Sequence, residues 1–290
     1  MAESSLQVMA CGSTVFPLSR VFRGKGLPRR VFPSNVFLYT HASGRRVLVD
    51  TGYPPTFRGT GLVGRLYERI LPATVPDDET VDQRLLALGL TPADVEFVVL
   101  THLHPDHVGG VRWFPDATFV LSSGQVASVR RNRVREGIFR ALLPPWFAAG
   151  IVADEQPATT IKGLTGFDLF GDGSLLVVPL PGHARGHLGV LVEGRVLVAG
   201  DAAWGREFLG WSGRLRRLPR FISDDARAHE RTSEMLERVE AAGVRLRFSH
   251  DAYPEGDVRL GGAATGLASR HVPEELVARR LGAAASAAKS

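Results

Sequence analysis

The run THLHPDHVGG, residues 101–110, places His102, His104, Asp106 and His107 within six positions. Imidazole nitrogen and carboxylate oxygen are the ordinary ligand atoms of zinc and other first-row divalent metals. A short apolar stretch, residues 97–100, leads straight into the run, so all four side chains leave the end of a strand. Side chains two apart on an extended segment share a face, and His102 and His104 can point at one ion. Pro105 bends the chain, and beyond it Asp106 and His107 can point at another. In a purely structural cluster each histidine would need its own hydrogen-bond partner, which favours a metal site. Four ligands do not complete a two-metal site, and three further apolar runs end in the same way. His183 follows VVPLPG, with His187 behind it in GHARGH; Asp201 follows VLVAG; His250 follows RLRFS. Alone, each would ordinarily be a surface or capping residue, and it is their shared position at strand ends that joins them.

The elements that must hold these residues read as short apolar runs bounded by turn residues, at 36–39, 46–49, 97–100, 118–121, 175–178, 189–192 and 195–199. Glu193-Gly194, between the last two, is the length of a tight hairpin connection. Thr80 and Gln83 form a capping-box pattern before a helix over 81–88, and Gly89 stands where its C-terminus needs a left-handed residue. Met235, Leu236, Val239 and Ala242 follow helical spacing in a second helix over 224–242, with Ser223 and Asp224 as its capping residues. The class is therefore mixed α and β. No shift of composition marks a boundary, so residues 1–290 are read as one domain with an Ala-rich tail, 281–290, expected to fray.

A chain of 290 residues can bury about three quarters of its surface. Its 44 % hydrophobic and 22 % charged residues exclude a disordered or collagenous protein. The single cysteine, Cys11, excludes an intramolecular disulfide and a thiolate zinc cluster. Without a signal-peptide pattern or an uncharged apolar run of about 18 residues, the expectation is a cytoplasmic protein with no membrane partner. The net charge of +5 is carried mostly by arginine, and suits an anionic ligand, a nucleic acid or merely an arginine-rich genome. With no nucleic-acid module in view, a small-molecule substrate is the expected partner.

Taken in order, His102-x-His104-x-Asp106-His107, His183, Asp201 and His250 resemble the metallo-β-lactamase superfamily, from about Val36 to His250. The resemblance implies an α+β fold, a four-layer αβ/βα sandwich with a dinuclear metal site where the two sheets meet. It also implies that His102, His104 and His183 bind one ion, Asp106, His107 and His250 a second, and Asp201 bridges them. Two divalent ions follow as cofactors, zinc first, with iron, manganese or cobalt admissible. Asp50, ending VLVD, would accept the other N–H of a ligand histidine, or else be a turn residue. His187 is read as a support for the ligands, and His41, His229 and His271 as surface or capping residues.

A two-metal site lowers the pKa of bound water from 15.7 toward about 7, so the implied chemistry is hydrolysis by a metal-bound hydroxide, with Asp106 moving the proton. The segments SNVFLYTH, RRVLVDTG, PGHARGH, VAGDAAW and FSHD look most like N-acyl homoserine lactone lactonases, which open the ring of quorum-sensing signals. One residue departs from that pattern. Such lactonases usually carry tyrosine three residues after the bridging aspartate, where this chain has Trp204, and indole offers only an N–H donor. The alternatives are a thioesterase of the glyoxalase II type or acting on acyl-CoA or acyl-carrier substrates, and a phosphodiesterase of the same superfamily. A non-catalytic metal-binding protein would have no need of the full ligand set. Residues 122–147 carry Arg130, Arg131, Arg133, Arg135 and Arg140, then Ile138, Phe139, Leu142, Leu143, Trp146 and Phe147. They read as a lid on an acyl chain or as a helix with a solvated basic face. Trp204, Phe208 and Trp211, with Phe139 and Trp146, are expected to line the substrate pocket. A lactonase needs apolar groups beside the metals; a coenzyme A thioesterase needs Arg214, Arg216, Arg217 and Arg220 to face the cleft. Acyl-chain preference and the choice between monomer and homodimer are left open.

Overall fold

The computed structural model describes residues 3–24, 27–131, 136–258 and 260, so the 281–290 tail, His271, Arg133 and Arg135 lie outside it. In chain order the strands are β1 (Ser5–Pro17), β2 (Arg29–Thr40), β3 (Arg46–Val49), β4 (Ala73–Thr74), β5 (Phe97–Val99), β6 (Thr118–Leu121), β7 (Ile151–Val152), β8 (Ala158–Ile161), β9 (Leu164–Asp168), β10 (Leu175–Pro179), β11 (Leu188–Val192), β12 (Val196–Val198), β13 (Arg245–Arg247) and β14 (Gly256–Asp257). The α-helices are α1 (Leu18–Val21), α2 (Gly61–Ile70), α3 (Val81–Ala87), α4 (Pro105–Val108), α5 (Ser123–Arg131), α6 (Arg217–Ile222) and α7 (Ala226–Ala241).

Period-two alternation along apolar strands builds the layers. In one sheet, ordered β14-β1-β2-β3-β5-β6-β7 with β4 added to β1, Val47, Val49, Phe97, Val99 and Val120 point inward. Leu48, Val98, Phe119 and Leu121 point outward, under Val81 and Leu85 of α3. In the second sheet, ordered β13-β12-β11-β10-β9-β8, Leu175, Val177, Val190, Val196 and Val198 join the inner core. Leu176, Val178, Leu191 and Leu197 pack outward on Leu236 and Val239 of α7. Helix, sheet, sheet and helix make the four-layer αβ/βα sandwich.

Strand direction brings the loops together. β3 and β5 are parallel, as are β12 and β13, and β10 reaches the direction of β12 through two antiparallel pairings with β11 between them. The chain therefore leaves β3 and β5 on one edge of the first sheet, and β10, β12 and β13 on one edge of the second. Leu188 N–H donates to Thr101 O (2.8 Å) and Asn35 N–H to Ser249 O (2.9 Å), stitching those edges together.

Local details differ from the sequence expectations. Thr80 Oγ1 donates to Asp77 O and Gln83 Nε2 to Asp82, so the capping box does not form, although Gly89 takes the expected left-handed φ of +73°. The cap of α7 is Asp225, whose side chain accepts from Arg227 N and Ala228 N. Ser223 is instead engaged in closing α6, donating to Pro219 O. Glu193 and Gly194 both have positive φ, as a two-residue hairpin with a primed turn requires. The stretch after α5 is anchored, since Ile138, Leu143 and Phe147 are buried in the outer core of the first sheet and cannot swing as part of a free lid.

Candidate metal centre

His102 leaves β5 completely buried, with His104 on the same side. Their facing atoms, His102 Nε2 and His104 Nδ1, are 2.9 Å apart, and His183 Nε2 is 3.2 Å from the same His104 nitrogen. Past Pro105, His107 Nε2 and His250 Nε2 lie 3.6 and 3.4 Å from Asp106 Oδ2. Asp201 stands among all of them. Its Oδ2 is 3.1 Å from His250, 3.5 Å from His183 and 3.9 Å from His102, and its Oδ1 is 3.5 Å from His107. Three groups each gather their ligand atoms within 4.8 Å: His102 with His104 and His183, His102 with His107 and Asp201, and Asp106 with His107 and His250. These seven side chains come from the ends of only four strands, β5, β10, β12 and β13.

The outward nitrogens explain why the inward ones are lone pairs. Thr101 Oγ1 gives its one proton to Asp50 Oδ2 (2.8 Å), so at His102 it accepts, and the His102 Nδ1–H donates to it at 3.1 Å. His107 Nδ1 donates to Asp50 Oδ2 at 2.7 Å, and His250 Nδ1 to Pro33 O at 2.7 Å. Asp50 also accepts from Thr101 N (2.7 Å) and has a φ of +64° at the end of β3. His187 is buried, belongs to none of the three groups, and accepts from Asp201 N–H at 3.1 Å.

Burial drives His102 and His183 well below the ordinary histidine pKa and His104 below it. Burial opposes charge on His107 too, but Asp50, Asp201 and Asp106 hold it well above that value, and Asp201 and Asp106 raise His250. Burial likewise opposes the Asp201 charge, yet His250 and His107 hold its carboxyl well below the carboxylate range; His107 and His250 lower Asp106. His107 Nε2 and Asp201 Oδ1 are buried with no hydrogen-bond partner. Two buried carboxylates need positive charge beside them, and the five imidazoles that converge on them make, with them, a nitrogen and oxygen donor set that fits divalent cations.

Gly109 and Gly137 let the backbone come close. A Cβ on Gly109 would lie 2.0 Å from Pro54 N, which is why the histidine run ends in glycine where it crosses residues 52–54. Gly137 has a φ of +69°, and a Cβ there would lie 2.5 Å from His104 Cδ2 and 2.6 Å from Nε2. The segment after α5 thus walls one side of His104.

Among the expected pocket residues, Trp204, Phe208 and Trp211 share one cluster with Leu18, Val21, Phe22, Phe32 and Leu215. Trp204 meets His183 edge-on with centroids 6.2 Å apart, and Phe32 meets His250 at 6.1 Å. Phe139 packs separately, on Tyr67 (5.3 Å) and Phe57 (6.3 Å). Trp146 leans on Phe119 at 6.2 Å and is 44 % exposed. Arg214 stacks on Trp211 at 4.1 Å.

Two tyrosines in electrostatic reach of the centre have no signal in the sequence. Burial first, then the charges of Asp106 and Asp201, raises the Tyr67 phenol well above its ordinary pKa, and Tyr53 is raised by the same groups with Tyr67. Both phenols therefore stay protonated within electrostatic reach of the cluster. His229 corrects the surface assignment: it is buried in α7, donates from Nε2 to Ala202 O at 2.8 Å, and its ring lies 6.3 Å from His183. Asp251 ties the loop after Asp201 to the end of β13, accepting from Arg206 N (2.9 Å) and Arg30 Nη2 (3.1 Å).

The family model described as metallo-beta-lactamase superfamily matches residues 29–244. The chain is 30 % identical over 236 residues to N-acyl homoserine lactonase AttM of Azorhizobium caulinodans, covering 76 % of this chain and 82 % of that one. It is 32 % identical over 216 residues to a probable metallo-hydrolase of Mycobacterium tuberculosis, covering 71 % and 67 %. Among solved structures, its fold is similar to that of an N-acyl homoserine lactone hydrolase with N-hexanoyl-L-homoserine bound at the catalytic metal centre. That match has a TM-score of 0.66 at 20 % identity, over 87 % of this chain and 94 % of the other. AidC, a dizinc quorum-quenching lactonase, matches with a TM-score of 0.60 at 15 % identity, over 88 % and 90 %. At these identities the solved structures bear on fold alone.

Proposed function

Since the chain belongs to the metallo-β-lactamase superfamily, we propose that it is a metal-dependent hydrolase opening the ring of an N-acyl homoserine lactone-like substrate. The reading rests on the junction of the His and Asp cluster with an apolar wall, Trp204 against His183 and Phe32 against His250. A polar reacting group joined to an acyl chain asks for that combination, and lactonases named among the relatives support it. His102, His104 and His183 would hold one ion, Asp106, His107 and His250 a second, and Asp201 both, with zinc the metal. Bound there, the ions would polarise the lactone carbonyl and make water nucleophilic at neutral pH.

The chain's own residues divide the rest of the work. Asp106 takes the proton released by the attacking water on its carboxylate and returns it to the ring oxygen as the C–O bond breaks. Trp204 can orient an oxygen through its N–H but cannot surrender a proton to it, so it does not replace a tyrosine acid. Phe208 and Trp211 extend the apolar wall from Trp204, and Phe139 with Tyr67 forms a second apolar surface. His187 and Asp50 hold the ligands in place. The thioesterase alternative needs a basic clamp in the cleft. Arg214 stacks on Trp211, and the cavity lined by Arg216, Arg217 and Arg220 includes no member of the metal cluster.

The test is turnover of acyl homoserine lactones, acyl thioesters and phosphodiesters by protein loaded with about two equivalents of zinc, manganese or iron. Lactone opening, followed by proton release, should dominate and disappear in His104→Ala and Asp201→Ala. Faster turnover of the thioester or phosphodiester overturns the assignment.

A further inference from the structure

Arg20, Arg23, Arg216, Arg217 and Arg220, all exposed to solvent, line one open cavity of about 490 Å³, with Leu215 as its apolar lining residue. Two segments almost two hundred positions apart supply them, and the backbone locks these segments together. Phe22 and Leu215 form an antiparallel bridge, Arg23 N–H donates to Arg214 O and Arg216 N–H to Val21 O, both at 2.8 Å. Side chains brace the same joint, with Arg23 Nη2 on Gly213 O (2.6 Å) and Arg216 Nε on Phe22 O (3.3 Å). Beneath lies the apolar cluster of Leu18, Val21, Phe22, Phe208 and Leu215. Among the described residues no carboxylate forms an ion pair with any of the five arginines. The cavity thus gathers as many positive charges as the whole chain's net +5, on a frame fixed by hydrogen bonds.

We propose that this cavity is a binding site for a small molecule carrying two or more phosphate groups, separate from the metal centre and independent of the hydrolase assignment. Guanidinium groups bind phosphate oxygens in pairs, and uncompensated like charges sharing one cavity favour an anion that neutralises several at once. Five guanidinium groups exceed the charge of one phosphate, about two at neutral pH, which points to a diphosphate or longer chain. No member of the metal cluster lines the cavity, and a chain of ring contacts runs between the two sites, Phe22 to Trp204 at 5.6 Å and Trp204 to His183 at 6.2 Å. A ligand that clamps α1 to α6 therefore presses on the apolar wall rather than on the metals.

Calorimetric titration of the zinc-loaded protein with pyrophosphate, tripolyphosphate and ADP tests this, at about 50 mM and about 300 mM salt. Tryptophan fluorescence provides a second readout, since Trp211 lies 5.2 Å from Phe22. Saturable binding is expected at low salt, weakened at high salt, and reduced about tenfold or more in Arg217→Gln/Arg220→Gln. A circular dichroism spectrum and melting temperature equal to those of the wild type show that the variant is folded. A preference for ADP over tripolyphosphate identifies a nucleotide, and the reverse an inorganic chain; both support the site. Absence of binding at low salt overturns the proposal, as does binding equal in the variant. Binding lost in His104→Ala but kept in the arginine variant assigns the anion to the metals, and tighter capture of a short single-stranded RNA assigns the arginines to nucleic acid; either overturns it.

Discussion

Asp50→Asn isolates the force that orients His107. Asp50 sits at a φ of +64°, a conformation asparagine also tolerates, so the substitution keeps backbone and volume while removing a charge. The carboxylate accepts from Thr101 N (2.7 Å), Thr101 Oγ1 (2.8 Å) and His107 Nδ1 (2.7 Å). An amide oxygen can keep the backbone donor of Thr101, but its NH2 then faces His107 Nδ1. Either two donors collide, or the imidazole proton moves to Nε2 and occupies the lone pair aimed at Asp106 and Asp201. Losing one hydrogen bond to a charged group costs about 1.5–3 kcal/mol, which is roughly 10- to 100-fold in affinity. The same range is typical when the outer partner of a metal-binding histidine is lost. Zinc titration against a competing chelator should show one equivalent weakened by that factor, while the equivalent held by His102, His104 and His183, whose one link to Asp50 runs through Thr101 Oγ1, weakens less. Two unchanged equivalents in a variant with wild-type circular dichroism would refute the role given to Asp50.

Gly137→Ala places a methyl within 2.6 Å of His104 Nε2 at a φ of +69°; kcat/KM should fall about tenfold or more with a loss of bound zinc, and normal zinc content would remove Gly137 as the wall of His104. Tyr67→Phe tests whether the phenol, kept protonated by burial and by the charges of Asp106 and Asp201, hydrogen-bonds the reacting oxygen, in which case kcat should fall about tenfold at little change in KM. An unchanged kcat would confine Tyr67 to packing on Phe57 and Phe139. Chelation should lower the melting temperature by about 8–16 °C, from about 4 kcal/mol of linkage at metal 1,000-fold above its Kd and about 2–4 °C per kcal/mol; no shift in calorimetry would contradict metal binding to the folded cluster.

The local half of the site is legible in the sequence because its geometry is local. His102, His104, Asp106 and His107 leave one strand, and period-two spacing with one proline sets their directions. Strand topology unites them with His183, Asp201 and His250, a step that only the shared strand-end position hinted at. Where tertiary contacts choose among equivalent residues, sequence fails. Ser223, Asp224 and Asp225 are all competent N-caps, and only the presence of α6 ending at Ile222 makes Asp225 the cap. His229 sits in a helix whose spacing marks Leu236 and Val239 as core, yet its burial depends on the loop after Asp201 passing overhead. Tyr67 is less legible still, since it lies in α2, a separate element far ahead of the histidine run, and only folding brings its phenol within reach of the charges of Asp106 and Asp201.

The two halves of the centre are held by different forces. His107 and His250 are aimed by strong outer hydrogen bonds at 2.7 Å, to Asp50 and to the carbonyl of Pro33. At the other half His183 Nδ1 is buried without a hydrogen-bond partner, and the ring is set by its neighbours Trp204 and His229, while His104 rests against the bare backbone of Gly137. Packing thus orients His104 and His183, while outer hydrogen bonds orient His107 and His250 and, through Thr101 Oγ1, His102. Polar substitutions such as Asp50→Asn should then weaken one equivalent of metal, and steric ones such as Gly137→Ala the other. In the double variant the two affinity losses should add to within about 0.5 kcal/mol, as for independent sites. A larger coupling between them would mean that Asp201, shared by both groups, transmits displacement from one ion to the other, and that the site loads its metals as one unit.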